Sequence, residues 1–131
     1  MQVISRDPTI PKTFVDTVQA WADRLHVPAL LIYIDQRRGP VTDKLAACEV
    51  NVTLNRADIW FHESIVNDTD TEINNERIVV HELLHITAAG LDALVESVIK
   101  SSPEQVKDLW NREREREIDM LSHIILELSG Q

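Results

Sequence analysis

Cysteine is nearly absent from this 131-residue chain: Cys48 stands alone, so no intramolecular disulfide can form and no oxidising compartment is required. Basic residues are short as well, with 13 Lys and Arg against 22 Asp and Glu, a net charge of -9 and a pI near 4.9. That balance argues against a broad surface for nucleic acid or anionic membrane, both of which need clustered cations; a basic or neutral partner segment suits it better. The apolar stretch Ala29 to Ile34 is far too short to span a bilayer. The opening Met-Gln-Val-Ile-Ser-Arg-Asp-Pro has no charged region leading into an apolar run. A cytoplasmic protein clear of membranes is therefore expected, and the sequons at Asn51 and Asn67 are then incidental. The polar loop Ser64 to Asn75 carries no phosphate-binding glycine pattern. Its acidic residues lack the spacing and the glycine of an EF-hand, which leaves a solvated loop. With no repeat and no low-complexity linker, one domain over residues 1–131 is expected.

What is present fits an ordinary core, at 44% hydrophobic and 27% charged residues. Phe14, Val18, Trp21 and Leu25 recur at helical spacing, and Pro11 suits a first turn, so the pattern predicts a helix from Pro11 to Leu25. Val27-Pro28 stops it. Leu30 to Ile34 reads as a buried strand, and Arg37-Arg38-Gly39-Pro40 as a turn. Ala47 to Thr53 and Ala57 to His62 are two more strands joined by Leu54-Asn55-Arg56; in the second, Ile59 and Phe61 point one way and Trp60 and His62 the other. Asn74 or Asn75 is expected to cap a helix that runs to about Ala89 and breaks or bends at Gly90, with Leu91, Leu94, Val95 and Val98 continuing a helical pattern beyond it. Ser102-Pro103-Glu104-Gln105 is a start signal for a last helix, about Pro103 to Leu128, whose apolar side is read as Val106, Trp110, Leu121, Ile124, Ile125 and Leu128. The fold class that follows is α+β.

The chemistry concentrates in Ile78-Val79-Val80-His81-Glu82-Leu83-Leu84-His85-Ile86. Two histidines four apart on a helix share a face, with His85 about 40° and Glu82 about 100° from His81. Val79, Val80, Leu83, Leu84 and Ile86 spread over the opposite side, so a ligand face and a core face are separate. Two imidazoles so placed can bind one Zn²⁺, with Glu82 beside the metal where a bound water would be, the H-E-x-x-H arrangement of a zinc-dependent peptidase. The competing reading is an amphipathic helix whose histidines merely repeat at that spacing. Small residues, Ala88 and Ala89, follow the second histidine on the ligand side and would let a neighbouring helix approach.

A catalytic zinc needs a third protein ligand. A histidine six residues after His85 is excluded, because position 91 is Leu. Glu96, Glu113, Glu115, Glu117 and His123 are the downstream candidates. Helical phase puts Glu117 on the stripe of Trp110, Leu121, Ile124 and Leu128, with Glu115 off its centre, so burial alone favours Glu117.

A short strand layer, the pattern Arg77-Ile-Val-Val-His-Glu-Leu-Leu-His85 and a later helix with Glu-x-x-Ile-Asp-x-Leu-Ser together resemble the minimal gluzincin metallopeptidases. These are small intracellular zinc proteins, many on phages and other mobile elements. In that group the late helix tends to read Glu-x-x-Ala-Asn/Asp-x-Phe/Leu-Ala, and its glutamate is the third ligand. Laid on Glu115-Arg116-Glu117-Ile118-Asp119-Met120-Leu121-Ser122, the resemblance implies Glu115, with Glu117 the alternative; Thr87 departs from the hydrophobic residue usual at its position. It also implies a zincin-like fold, a small mixed or antiparallel sheet packed on an active-site helix and a long C-terminal helix, and peptide-bond hydrolysis of a specific protein substrate. His81, His85 and Glu115 would hold Zn²⁺ while Glu82 acts as general base. The run Ile59 to His62 is read as an edge strand for substrate. Tyr33, His62 and His123 are left open as oxyanion donors.

Two other readings stand beside this one. A metal-stabilised module that binds a partner without cutting it would bind zinc but show no Glu82-dependent turnover. The zinc-dependent RNA-processing proteins with His-Gly-x-Leu-His-Leu-x-Gly-Tyr-Asp-His are similar in part, but here Glu82 replaces the glycine, the third histidine that should come directly after Asp92 is lacking, and the acidic balance disfavours RNA.

Overall fold

A computed structural model of the chain describes residues 1–67 and 72–129. The loop residues Asp68, Thr69, Asp70 and Thr71, read from sequence as solvated, lie outside the described residues.

The chain alternates strand and helix and then ends on two long helices: β1 Gln2–Ser5, α1 Lys12–Arg24, β2 Leu31–Arg37, β3 Ala46–Asn51, β4 Arg56–His62, α2 Glu63–Val66, α3 Glu72–Ile99 and α4 Glu104–Ser129. The four strands form one mixed sheet in the order β1-β2-β4-β3, with β1, β2 and β4 parallel and β3 antiparallel to β4. The architecture is thus mixed α and β, compatible with the α+β class read from the sequence. β1 was not expected; four residues carrying a single buried side chain, Val3, give no alternation to read.

α1 forms where Phe14, Val18, Trp21 and Ala22 place a buried stripe. It crosses over the sheet between the parallel strands β1 and β2, as such a pair requires. Its end is fixed by backbone bonds from His26 N–H to the Asp23 carbonyl and from Val27 N–H to the Ala22 carbonyl, with His26 in the left-handed region at φ 50. The covered face of the sheet presents Ile32, Ile34, Ala57, Ile59 and Phe61, all essentially fully buried, and Phe14 of α1 meets Phe61 edge-on at 5.1 Å between ring centroids. Tyr33, Asp58 and Trp60 stand on the other face, half-buried, where the guanidinium groups of Arg6, Arg37 and Arg56 lie over the Tyr33 and Trp60 rings. His62, read from the sequence as pointing the same way as Trp60, is buried and caps α2: its Nδ1 accepts the Ser64 N–H and its Nε2 bonds the Gly39 carbonyl.

α3 differs from expectation at both ends. Asn74 and Asn75 lie inside it rather than at a cap, and it runs unbroken through Gly90 to Ile99. A lone glycine lowers helix propensity by about 1 kcal/mol, which a 28-residue helix anchored by buried Val79, Val80, Leu83 and Ile86 tolerates. By length and composition α3 is also apolar enough to cross a membrane, with mean hydropathy 1.5 in a window of Asn75–Ile99. Attention to Ala29–Ile34 alone passed over it.

α4 starts within a residue of its Ser-Pro-Glu signal but turns a different face inward. Ile118 and Ser122 are its fully buried residues, with Ile125 and Leu126 partly buried against the core. Val106, Leu121, Ile124 and Leu128 are all more than 40% exposed. Its inward neighbour is α3, and the buried Ser122 bonds its hydroxyl to the Asp119 carbonyl one turn back, so a polar residue that satisfies itself stands on the buried face.

Candidate metal centre

His81 and His85 sit one turn apart on α3, on the flank that turns away from Val79, Val80, Leu83 and Ile86. The same inward face of α4 that buries Ile118 and Ser122 carries Glu115, three residues before Ile118. Glu115 therefore reaches both histidines: one carboxylate oxygen lies 3.4 Å from His81 Nε2 and the other 3.3 Å from His85 Nε2. The ligand atoms of all three residues lie within 4.8 Å of one another. Two imidazoles and a carboxylate are donor types that could hold a divalent ion such as zinc, and the two N···O separations are near the roughly 3.3–3.6 Å between ligands of a tetrahedral ion with bonds of about 2.0–2.2 Å.

The remaining candidates fall elsewhere. Glu117 lies on the solvent side, 3.7 Å from Arg116, which also holds Glu113 at 2.9 Å. The phase argument for Glu117 fails because the apolar stripe it was based on is the exposed one. Glu96 stays 60% exposed near Arg114. His123 Nε2 accepts a hydrogen bond from Arg77 at 2.7 Å in a groove between α1 and α4.

The three residues line a cleft of about 950 Å³ walled on the opposite side by Lys44 to Cys48 and by Val50. This wall is β3, which forms an edge of the sheet. The strand expected at the edge, Ile59 to His62, is instead interior, between β2 and β3. Parallel pairing of β4 with β2 decides this, and a hairpin pattern carries no information about it. The Leu45 carbonyl accepts from His62 N–H, so in the alternating antiparallel ladder the backbone groups of Ala46, Cys48 and Val50 point to the free edge.

Glu82 occupies the base of the cleft at 7% exposure. Burial pushes its carboxyl up to about 7; the nearby Glu115 carboxylate adds to the rise and Lys44 opposes it. Burial lowers His85, with Glu115 pulling the other way, which favours the neutral imidazole a metal needs. Burial raises the Cys48 thiol far above its ordinary value, with Glu82, Asp58 and Glu49 adding, so it stays protonated at neutral pH.

None of the three oxyanion candidates lines the cleft. Tyr33 is on the other face of the sheet, His62 is the cap of α2, and His123 is held by Arg77. Two features escaped the sequence reading. Asp119 Oδ1 lies 3.7 Å from His81 Nδ1, on the side of the ring away from Glu115. Asp92 accepts hydrogen bonds from Trp110 Nε1 at 2.7 Å and from Arg114 Nη1 at 2.8 and 3.0 Å. Both had a legible signal: Asp119 follows Glu115 by four, and Asp92 follows His85 by seven, each on the same helical face as its leader. Set against protein-family models, curated proteins and solved structures, the chain matches none.

Proposed function

We propose that this chain is a zincin-like zinc metallopeptidase of the minimal gluzincin type, which hydrolyses peptide bonds in a specific protein substrate. The observation that carries the reading is the approach of Glu115 to within 3.3 and 3.4 Å of the two imidazoles of an H-E-x-x-H helix. His81, His85 and Glu115 would hold Zn²⁺. Bound there, the ion would supply Lewis-acid activation of a water and polarisation of the scissile carbonyl.

The chain's own groups divide the rest of the work. Glu82, adjacent to His81 and with its carboxyl raised to about 7, takes the proton of the attacking water and passes it to the leaving amine. Asp119 stands behind His81 Nδ1 and favours the tautomer that leaves Nε2 free. The free edge of β3 offers backbone donors and acceptors to an extended substrate segment, and its position across the cleft supports a peptide over a compact small molecule.

The test combines elemental analysis with peptide hydrolysis. The protein is expected to hold about one zinc per chain, to lose it in Glu115→Ala and keep it in Glu117→Ala. Glu82→Gln is expected to keep the metal and lose more than about 100-fold in turnover. A zinc-loaded protein whose turnover is insensitive to Glu82→Gln is not this enzyme; zinc without any turnover would leave the metal-stabilised binding module.

A further inference from the structure

We propose that Asp92, Trp110 and Arg114 form a latch that sets the register of α4 on α3 and thereby holds Glu115 in reach of both histidines. The inference rests on the metal site proposed above and concerns what keeps that site assembled.

The need for a latch follows from the way α4 is held. Two long antiparallel helices can slide along each other, and a shift of one residue moves a side chain about 1.5 Å along the axis, enough to spoil a metal ligand. Apolar contact resists sliding poorly because it is non-directional. On α4 such contact is thin: Ile118 and Ser122 are its only fully buried side chains among the described residues. Toward its C-terminal end α3 is thinly covered on one side, with Leu91, Leu94 and Val98 each more than 60% exposed. The polar cluster lies in this poorly held half.

Its geometry is directional. The Asp92 carboxylate, on α3, accepts the indole N–H of Trp110 at 2.7 Å and the Arg114 Nη1 at 2.8 and 3.0 Å, so two α4 residues four apart grip one α3 side chain. Asp92 and Arg114 are only 22% and 20% exposed, where charge-assisted bonds hold firmly and an unpaired partner is costly. Arg114 immediately precedes Glu115, and its Nη2 lies 3.8 Å from the Glu115 oxygen that faces His85. The guanidinium thus links the Asp92 carboxylate of α3 to the Glu115 carboxylate. These are positioning residues: they act on the metal through Glu115 and donate nothing to it themselves.

A double-mutant cycle on zinc affinity, measured on the full chain by competition with a chromophoric chelator, tests the latch. Asp92→Ala is expected to weaken zinc binding by roughly 10- to 100-fold, the range of lost supporting contacts at metal sites. In a Glu115→Ala background, where His81 and His85 alone would keep weak zinc binding that the chelator competition still reads, the same change is expected to shift affinity by less than about threefold, because the ligand that the latch positions is already gone. Trp110→Phe removes one donor with little loss of volume, and is expected to weaken zinc binding about 3- to 10-fold with the same dependence on Glu115. Equal losses in both backgrounds would mean general loosening of the hairpin and overturn the latch, as would full affinity in Asp92→Ala. An unchanged chain that binds no zinc would overturn the metal site itself, an outcome separate from either.

Discussion

A carboxyl group buried next to a second carboxylate is an expensive thing to build into a small protein, and at Glu82 the expense has a readable pH dependence. Its proton is held to about pH 7 in the folded chain against about 4.5 when exposed. Below about 4.5 both states are protonated and the group does not affect stability. As the pH rises from there to 7 the unfolded chain ionises first, so stability falls, and above 7 the penalty is constant, on the order of 3 kcal/mol. Glu82→Gln cannot ionise and escapes this slope. Urea unfolding in EDTA from pH 4.5 to 8 is therefore expected to show the variant gaining on the parent by a few kcal/mol across that range, whatever constant offset the buried amide brings. A difference that stays flat with pH would mean that Glu82 is better solvated than its 7% exposure indicates. In the proposed hydrolysis, a base poised near neutrality would both accept and return a proton at physiological pH.

Among the elements, α4 marks the limit of reading hydropathy as burial. Of the apolar side read as Val106, Trp110, Leu121, Ile124, Ile125 and Leu128, only Trp110 and Ile125 are partly buried; the fully buried residues are Ile118 and Ser122, on the face that also carries Glu115. Hydropathy could not find that face because the Glu115 carboxylate and the small Ser122 stand on it beside Ile118. Ile118→Ala is accordingly expected to lower stability by about 2–4 kcal/mol in urea unfolding, and Ile124→Ala by less than about 1 kcal/mol, although the two lose the same atoms. The reverse order would put the α4 helix half a turn from where it is described. By contrast α1 and the H-E-x-x-H segment were legible throughout, because in both a single buried stripe coincides with the apolar residues: Phe14, Val18 and Trp21 in one, Val79, Val80, Leu83 and Ile86 in the other.

In the molecule as a whole, the candidate site is assembled from parts far apart in the chain: an edge strand at Ala46–Asn51, imidazoles at His81 and His85, and a carboxylate at Glu115. Strand positions could be read locally, but strand order could not; β4 is interior because β2 pairs with it in parallel across an intervening strand, and no local pattern encodes that pairing. Because Leu91, Leu94 and Val98 of α3 and Leu109 of α4 are exposed, this end of the hairpin has little core of its own, and an ion tying α3 to α4 would supply part of what packing does not. Metal binding should then act on global stability. At a free zinc concentration about 100 times its dissociation constant the gain is about 2.7 kcal/mol, which for a chain of this length raises the melting temperature by on the order of 10 °C. Differential scanning fluorimetry in EDTA and in buffered zinc is expected to show that shift in the unchanged chain and in Glu117→Ala, and to lose most of it in His85→Ala and Glu115→Ala. The same shift in all four proteins would place the ion somewhere other than between α3 and α4. No shift in any of them would leave the hairpin without the cross-link that its thin packing calls for, and return His81 and His85 to an ordinary amphipathic helix.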